Sequence, residues 1–167
     1  TDASLPGGTG FLGGERRIAH WTKADKSLLE CPPLVKQRIL ENKACRLILL
    51  TPAFFTSGHL PEWVKQGFGV QAEVKAAVVN RYQTISGWDY AYQQGNQNGR
   101  PKPTRRLVPA GSVYFMKLNG DQSQIRKFID QTWMNAISDD PQSRLDGFGI
   151  AVLGSWDGHL RKMEAQS

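Results

Sequence analysis

The stretch at residues 112–137, SVYFMKLNGDQSQIRKFIDQTWMNAI, decides the fold because a strand pattern is followed directly by a helix pattern. Side chains at 112–118 alternate between two faces, as they do in a β-strand. One face carries Val113, Phe115 and Lys117, and the other carries Tyr114, Met116 and Leu118. The second set is continuously apolar, so the sequence predicts a strand that covers a core with one side.

A helix is predicted at 123–137, where the apolar residues recur with a spacing of 3.6. Asp121 and Gln124 resemble a capping box at its start, and we expect Asp139-Asp140-Pro141 to end it. The apolar stripe consists of Ile125, Phe128, Ile129, Trp133, Ala136 and Ile137.

Further segments complete the pattern on either side. Pro32 and Pro33 mark a helix start that continues to about Asn42, and strands are predicted at 45–51, 70–79 and 148–153. Residues 76–79 also suit a helix, 61–66 allow one or two helical turns, and the polar tract 93–102 is expected to be a long loop. The order strand, short helix, strand, strand, helix, strand predicts an α+β fold of the ferredoxin-like, RRM-like βαββαβ type.

The first 14 residues are rich in glycine, which local propensity alone cannot order. We therefore expect either an irregular leader or a segment that another part of the chain holds, followed by a short strand at 16–21. The predicted division is a leader and inter-domain segment with a short helix at 1–43, and a carboxy-terminal domain at 44–167.

Length and charge limit the classes of function that the chain can have. The 167 residues carry a net charge of +6 and contain no apolar run of the roughly 18 residues that cross a membrane. The charge is +5 over residues 51–118 but −2 over 119–167. A polyanionic partner for the basic part and a protein partner for the acidic part are therefore expected.

The densest positive charge lies in a seven-residue segment that holds Arg100, Lys102, Arg105 and Arg106. Such a run is commonly a solvated basic loop. Trp88 precedes it, and an aromatic ring near cations suits the stacking of single-stranded RNA bases, although a core position for Trp88 is the alternative.

Three glycines have a spacing that favours a ligand: Gly147, Gly149 and Gly154. They follow a helix and open a strand, which is the reverse of the dinucleotide-binding motif. Glycine allows close approach of a ligand and exposes backbone N–H groups to phosphates. An ordinary helix-to-strand turn is the alternative.

Catalytic and metal motifs are missing from the sequence. His20, His59 and His159 have no metal-ligand spacing to one another or to the cysteines. Cys31 and Cys45 are too isolated for a disulfide framework, so we expect Cys45 in the core and the protein in the cytoplasm. No cofactor is expected.

Five segments, in this order, resemble a known family: GGERRIA at 13–19, LTPAF at 50–54, ISGWD at 85–89, RLVPAGSVYF at 106–115, and GFG at 147–149 with Gly154. The family is that of the third subunit of the Cmr module, a Cas five-like RAMP protein of type III-B CRISPR effector complexes. The resemblance extends from about residue 10 to 157. Within the family, the chain is similar to the carboxy-terminal module of a two-module subunit. We therefore expect a further amino-terminal module.

The resemblance implies a non-catalytic subunit that binds the 5′ handle of the CRISPR RNA. It implies docking to the large palm-domain subunit and to the first backbone subunit. We expect Gly147, Gly149 and Gly154 to allow approach of the RNA, Trp88 to stack on a base, and four cations to neutralise phosphates: Arg16, Arg17, Arg105 and Arg106. Alternatives are an inter-subunit role for Arg16 and Arg17, a protein-only docking module, and a metal-independent endoribonuclease that uses His20 or His59.

Overall fold

The computed structural model describes residues 7–12, 16–23, 30–62, 69–94 and 97–161. It contains ten strands and three helices in the described ranges. The strands are β1 (Gly8–Leu12), β2 (Arg17–Trp21), β3 (Ala44–Leu49), β4 (Gln71–Val78), β5 (Gln83–Ile85), β6 (Trp88–Gln94), β7 (Gln97–Pro101), β8 (Arg105–Leu107), β9 (Val113–Asn119) and β10 (Ala151–Ser155). The helices are α1 (Pro33–Asn42), α2 (Gln122–Thr132) and α3 (Pro141–Leu145).

The centre of the fold is a four-stranded sheet with the order β10-β3-β9-β4, in which every neighbouring pair is antiparallel. Three further pairs of strands form two-stranded sheets. The fold is therefore mixed α/β with antiparallel sheets and few helices, which confirms the coarse prediction. Glu62 is helical, and the rest of the turn predicted at 61–66 lies mostly outside the described residues.

One face of the central sheet and the helices enclose the core. Tyr114, Met116 and Leu118 of β9 are buried, which confirms the predicted alternation. Helix α2 contributes Ile125, Phe128 and Ile129, and α1 contributes Ile39 and Leu40 to the same cluster. Cys45 is fully buried there, as predicted, and burial raises the pKa of its thiol to about 12. The predicted capping box is present, because the Asp121 side chain accepts the Gln124 N–H and Gln124 accepts the Asp121 N–H.

Helix α2 ends at Thr132, so the predicted extension to Ile137 is wrong. Met134 has a φ of +55°, which ends the helical path. Beyond it the backbone pairs with the segment before β10: the Met134 N–H donates to the Ala151 carbonyl and the Ile137 N–H to the Gly149 carbonyl. The apolar spacing continues past the helix because Trp133 and Ile137 pack into the same core as the helix residues.

The acidic pair at 139–140 does not end α2 but opens α3. The Asp140 carboxylate accepts the Ser143 N–H at 2.9 Å, and Pro141 occupies the first turn, where a missing N–H has no cost. The strand predicted at 148–153 is also shifted, since β10 begins at Ala151 and Phe148 and Gly149 belong to the preceding turn.

The polar tract at 93–102 is not a long loop, because residues 97–101 form β7 and pair with β6. The glycine-rich leader is also paired: β1 lies antiparallel to β2, so the second alternative, a segment held by another, is correct for residues 8–12. Strand β2 agrees with the strand predicted at 16–21. Gly13, Gly14 and Glu15 lie outside the described residues.

No helix in the described ranges has both the length and the apolar character needed to cross a membrane.

Candidate nucleic-acid interface

A long antiparallel arm, residues 83–107, connects β4 to β9. Its base is the β5–β8 pair and its outer part the β6–β7 pair. The two parts are continuous, because the Lys102 N–H donates to the Gly87 carbonyl at 2.8 Å and the Ser86 hydroxyl donates to the Lys102 carbonyl at 3.0 Å. The arm therefore extends the hairpin that joins two strands of the central sheet.

The arm is basic, with four Lys or Arg residues and one carboxylate, Asp89. Arg100 stacks on the Tyr92 ring at 4.2 Å and lies 3.6 Å from Asp89. Arg106 stacks on the ring of Tyr82, which precedes the arm, at 4.8 Å. Among the described residues no carboxylate pairs with Arg106, so its charge is available to a phosphate.

Trp88 lies on the arm with 47% of its surface exposed, so the alternative of a core position is wrong. Its indole rests on Gly99, which has a φ of +82°; a Cβ atom at Gly99 would be 2.2 Å from the indole Nε1. Glycine is required there both by the backbone and by the ring. The contact holds the Nε1 edge of the indole and leaves part of the ring in solvent, where a base could stack.

Sequence reasoning did not assign a role to Tyr90, which is 84% exposed. Nor did it assign roles to Tyr82 and Tyr92, on which the arginines stack. The signal was the spacing of Trp88, Tyr90 and Tyr92 by two residues, which is typical of a strand. The register of the β6–β7 pair shifts between Asp89 and Gln93, so regular alternation does not continue through Tyr90 and Tyr92. The polar residues 93–98, which follow these aromatic residues, led to the prediction of a loop.

Arg105 differs from its neighbour Arg106, because the protein holds its guanidinium. It donates to the Ser143 hydroxyl at 3.1 Å, lies 3.6 Å from the Asp140 carboxylate and stacks on Phe54 at 5.1 Å. Burial opposes the ionisation of Asp140, but hydrogen bonds from Ser143 and the nearby Arg105 and Arg144 outweigh it and lower the pKa of this carboxyl. The predicted phosphate ligand thus joins the base of the arm to α3.

The glycine turn, residues 147–150, has no free backbone N–H. Gly147 donates to the Arg144 carbonyl and Phe148 to the Ser143 carbonyl. Gly149 donates to the Pro52 carbonyl and the Thr51 hydroxyl, and Ile150 donates to the same hydroxyl. These amides are therefore engaged within the chain, and the approach of RNA to this turn stays a prediction. The positive φ angles of Gly147 and Gly149, +81° and +89°, instead satisfy the turn itself.

Gly154 lies apart from the turn, in β10, directly opposite Arg46 of β3. A Cβ atom at this position would be 3.3 Å from the Arg46 Nε. Gly154 therefore provides room for an arginine side chain.

Arg17 begins β2 of a separate two-stranded sheet, Arg16 directly precedes that strand, and both are exposed. Arg16 has a φ of +52°. The structure thus places Trp88, Arg105 and Arg106 on one arm with the Gly147–Gly149 turn beside its base. Gly154 and Arg17 lie on other strands, and Arg16 directly precedes β2.

The candidates for catalysis are not assembled into a site. The His20 ring and the Thr9 hydroxyl share a hydrogen bond at 2.9 Å, and the His59 carbonyl accepts the Tyr114 hydroxyl. Neither imidazole meets a carboxylate or lysine in the described ranges. The same ranges contain no cluster of three His, Cys, Asp or Glu side chains able to hold a metal ion.

An antiparallel α/β domain that presents cations and aromatic rings on an extended arm has the features of a nucleic-acid-binding module. The family model described as "CRISPR-associated protein (Cas_Cmr3)" matches residues 1–156, and the chain belongs to this family. It is therefore a Cmr subunit of a multi-subunit CRISPR effector complex, as the resemblance implied. No curated protein matches the chain.

Proposed function

We propose that the chain is a non-catalytic, cytoplasmic RNA-binding and scaffolding subunit that holds the 5′ handle of the CRISPR RNA on its arm. The observation that carries this proposal is that one arm presents both half-exposed Trp88 and a cation, Arg106, that pairs with no carboxylate of the described residues. Single-stranded RNA presents phosphates and unstacked bases together, so it is recognised by cations interleaved with aromatic rings. Double-stranded nucleic acid hides its bases and gives the rings no partner.

The fold that we assign to this function is the ferredoxin-like βαββαβ unit, formed by β3, β4, β9 and β10. The sheet order supports it, because the connection from β3 to β4 passes over β9 and the connection from β9 to β10 passes over β3. Two interleaved crossovers of this kind define the split βαβ arrangement. Helix α2 lies in the second crossover, and the first crossover contains the stretch 63–68, outside the described residues.

Docking to the large palm-domain subunit and to the first backbone subunit completes the proposal. The β1–β2 pair supports a protein contact, because Phe11 and Ile18 are cross-strand partners that are 71% and 77% exposed. An isolated two-stranded sheet is marginally stable in water, and burial of this apolar pair against a partner would stabilise it. Arg16 and Arg17, at the start of the same strand, then suit inter-subunit ion pairs.

The decisive experiment measures binding of handle-containing CRISPR RNA by the wild-type chain and by Arg106→Gln, over a range of salt concentrations. We expect lower affinity and a salt dependence flatter by about 0.7 in log–log slope, the value for one phosphate on a single strand. Arg126→Gln is the matched control, since Arg126 is an exposed arginine of α2 outside the arm. Equal affinity of wild type and Arg106→Gln would remove the arm from the RNA site.

The alternative of a metal-independent endoribonuclease has a direct test. The wild-type chain is incubated with repeat RNA and a chelator, alongside His20→Ala and His59→Ala. We expect intact RNA in every case, because neither histidine has an acid–base partner among the described residues. Cleavage by wild type that either substitution abolishes would establish the alternative.

A further inference from the structure

The face of the central sheet opposite the helices carries an ordered row of four residues. Because Cys45, Met116 and Leu153 point into the core, their neighbours in sequence point to the other face. Gly154, Arg46, Phe115 and Ala76 lie directly opposite one another across β10, β3, β9 and β4. A cation and an aromatic ring thus stand side by side at the centre of the sheet, with a small residue on each side.

Arg46 lies across Gly154. Its Nε, Nη2 and Cζ atoms are 3.3, 3.4 and 3.6 Å from the position that a Cβ of residue 154 would take. Gly154 does not have the positive φ seen at Gly147 and Gly149, so the strand itself does not demand glycine. What demands it is the space that the guanidinium occupies.

Arg46 also lines a groove of about 960 Å³ whose positive charge is incompletely neutralised. Of the two acids lining the groove, Asp157 pairs with Arg161 at 2.9 Å, and Glu41 accepts a hydrogen bond from the Gln37 side chain at 2.8 Å. Arg38 and Arg46 meet no carboxylate in the part of the chain that is described. An occupant of the groove is therefore expected to be an anion.

The floor of the groove is aromatic and rigid. Phe115 packs against Trp156 in an edge arrangement, with ring centroids 5.4 Å apart and planes at 75°. Trp156 is in turn held at both ends: its indole N–H donates to the His159 carbonyl at 3.1 Å, and its own carbonyl accepts the Asn42 amide at 3.0 Å. Val78, 60% exposed, extends this apolar floor at the edge strand.

The geometry points to a second nucleotide subsite on this face, in which Arg46 binds a phosphate of single-stranded RNA and the adjacent base packs on Phe115 and Val78. This inference rests on the proposed RNA-binding function and extends it to a surface separate from the arm. A nucleotide brings a negative charge and a planar apolar group within one unit, which matches a guanidinium and a ring on neighbouring strands. An acidic peptide would supply the charge but no planar group.

The test compares binding of handle-containing CRISPR RNA by four chains: wild type, Arg46→Gln, Gly154→Val and Arg126→Gln. Arg46→Gln is expected to lower affinity roughly tenfold, as for a lost hydrogen bond to a charged group, and to flatten the salt slope by about 0.7. Gly154→Val keeps every charge but displaces the guanidinium, so the same loss of affinity is expected. Arg126→Gln removes an exposed arginine of α2 that does not line the groove, and it should bind as wild type does.

Thermal unfolding is measured to check that each variant is folded. If Gly154→Val does not fold, the RNA affinity of Arg46→Gln alone tests the subsite. If Arg106→Gln weakens RNA binding while Arg46→Gln binds as well as wild type and Arg126→Gln do, this subsite is refuted and the arm stands. If wild type binds no RNA, both proposals fail. If Arg46→Gln binds RNA normally but no longer assembles with the other subunits, the groove is a protein interface and the nucleotide assignment is wrong.

Discussion

The Thr51 hydroxyl accepts the backbone N–H of Gly149 at 3.0 Å, and through this contact a residue after β3 shapes the turn before β10. The same oxygen accepts the Ile150 N–H at 2.9 Å, and the hydroxyl donates to the Gly147 carbonyl at 2.8 Å. One side chain therefore satisfies three backbone groups of the glycine turn. The conformation of the turn is therefore stabilised by a residue nearly 100 positions away in sequence.

Thr51→Val should destabilise the fold, because it keeps the shape of the side chain but leaves backbone groups without their partner. We expect the free energy of unfolding to fall by about 2 kcal/mol, measured by chemical denaturation. Thr51→Ser retains the hydroxyl and should lose much less. Similar losses for Val and Ser would show that the methyl group, rather than the hydrogen bonds, matters.

The two glycines of the turn should differ in their tolerance of alanine. Both have positive φ, but a Cβ at Gly147 meets nothing within 4 Å, whereas one at Gly149 would lie 2.7 Å from the Ser138 backbone nitrogen. Gly147→Ala should therefore cost about 1 kcal/mol of backbone strain, and Gly149→Ala about 3 kcal/mol, since a clash is added. Equal unfolding free energies for the two variants would contradict this packing.

Asp140 should make stability depend on pH in the acid range. Its pKa is lower in the folded chain than the unfolded value of about 3.9. Its contribution is therefore present above that pH and is lost as the pH falls through the folded pKa. Asp140→Asn keeps a cap for α3 but loses the ion pair with half-exposed Arg105, so it should be less stable at pH 7 by under about 1 kcal/mol. Unfolding curves of wild type and variant should converge below about pH 4, and a constant gap down to pH 2 would exclude this role.

The adjacent arginines at the base of the arm should respond in opposite ways. Arg105→Gln loses contacts with Ser143, Asp140 and Phe54, so we expect a lower unfolding temperature and a small change in RNA affinity. Arg106→Gln should lower RNA affinity and leave the unfolding temperature nearly unchanged, because no described carboxylate pairs with Arg106 and its stacking partner Tyr82 is half-exposed. Measuring both properties on both variants separates the roles, and the reverse pattern would assign the phosphate to Arg105.

Trp88 should contribute to RNA affinity through the position that Gly99 gives it. Trp88→Leu is expected to lose about 1–3 kcal/mol of binding free energy, the value of one base–aromatic stack. Gly99→Ala should reproduce much of that loss, since a Cβ there would displace the indole. Gly111→Ala is the control, because Gly111 has nearly the same φ, +81°, with nothing within 4 Å of a Cβ. Unchanged binding by Gly99→Ala would show that the indole position is irrelevant to RNA.

The local sequence pattern was sufficient to predict secondary structure where the spacing of the apolar side chains matches the periodicity of the backbone. The alternation in β9 and the cap of α2 at Asp121 are of this kind. It failed beyond Thr132, because Ala136 and Ile137 keep the helical spacing of apolar residues while their backbone pairs across to residues 149–150. That partner is distant in sequence, so no local window contains it.

The arm was missed for a different reason. Residues 93–101 of its outer strands are polar or glycine and proline, so they have no hydrophobic periodicity from which a strand could be predicted. The dipeptide Gly95-Asn96 between two polar runs was a usable hairpin signal. At the candidate site, residue type indicated which side chains bear charge, but only the fold distinguishes Arg105, held by α3, from Arg106.

The arm is inserted between β4 and β9, which are already hydrogen-bonded neighbours in the central sheet. The base of the arm is anchored by Arg105 and by buried Leu107, so only the outer β6–β7 part can change in length independently of the core. Adding or deleting one residue on each strand shifts the tip by about 3.4 Å and leaves every buried contact of the sheet in place. The reach of the outer part of the arm can therefore change without any compensating change in the central sheet.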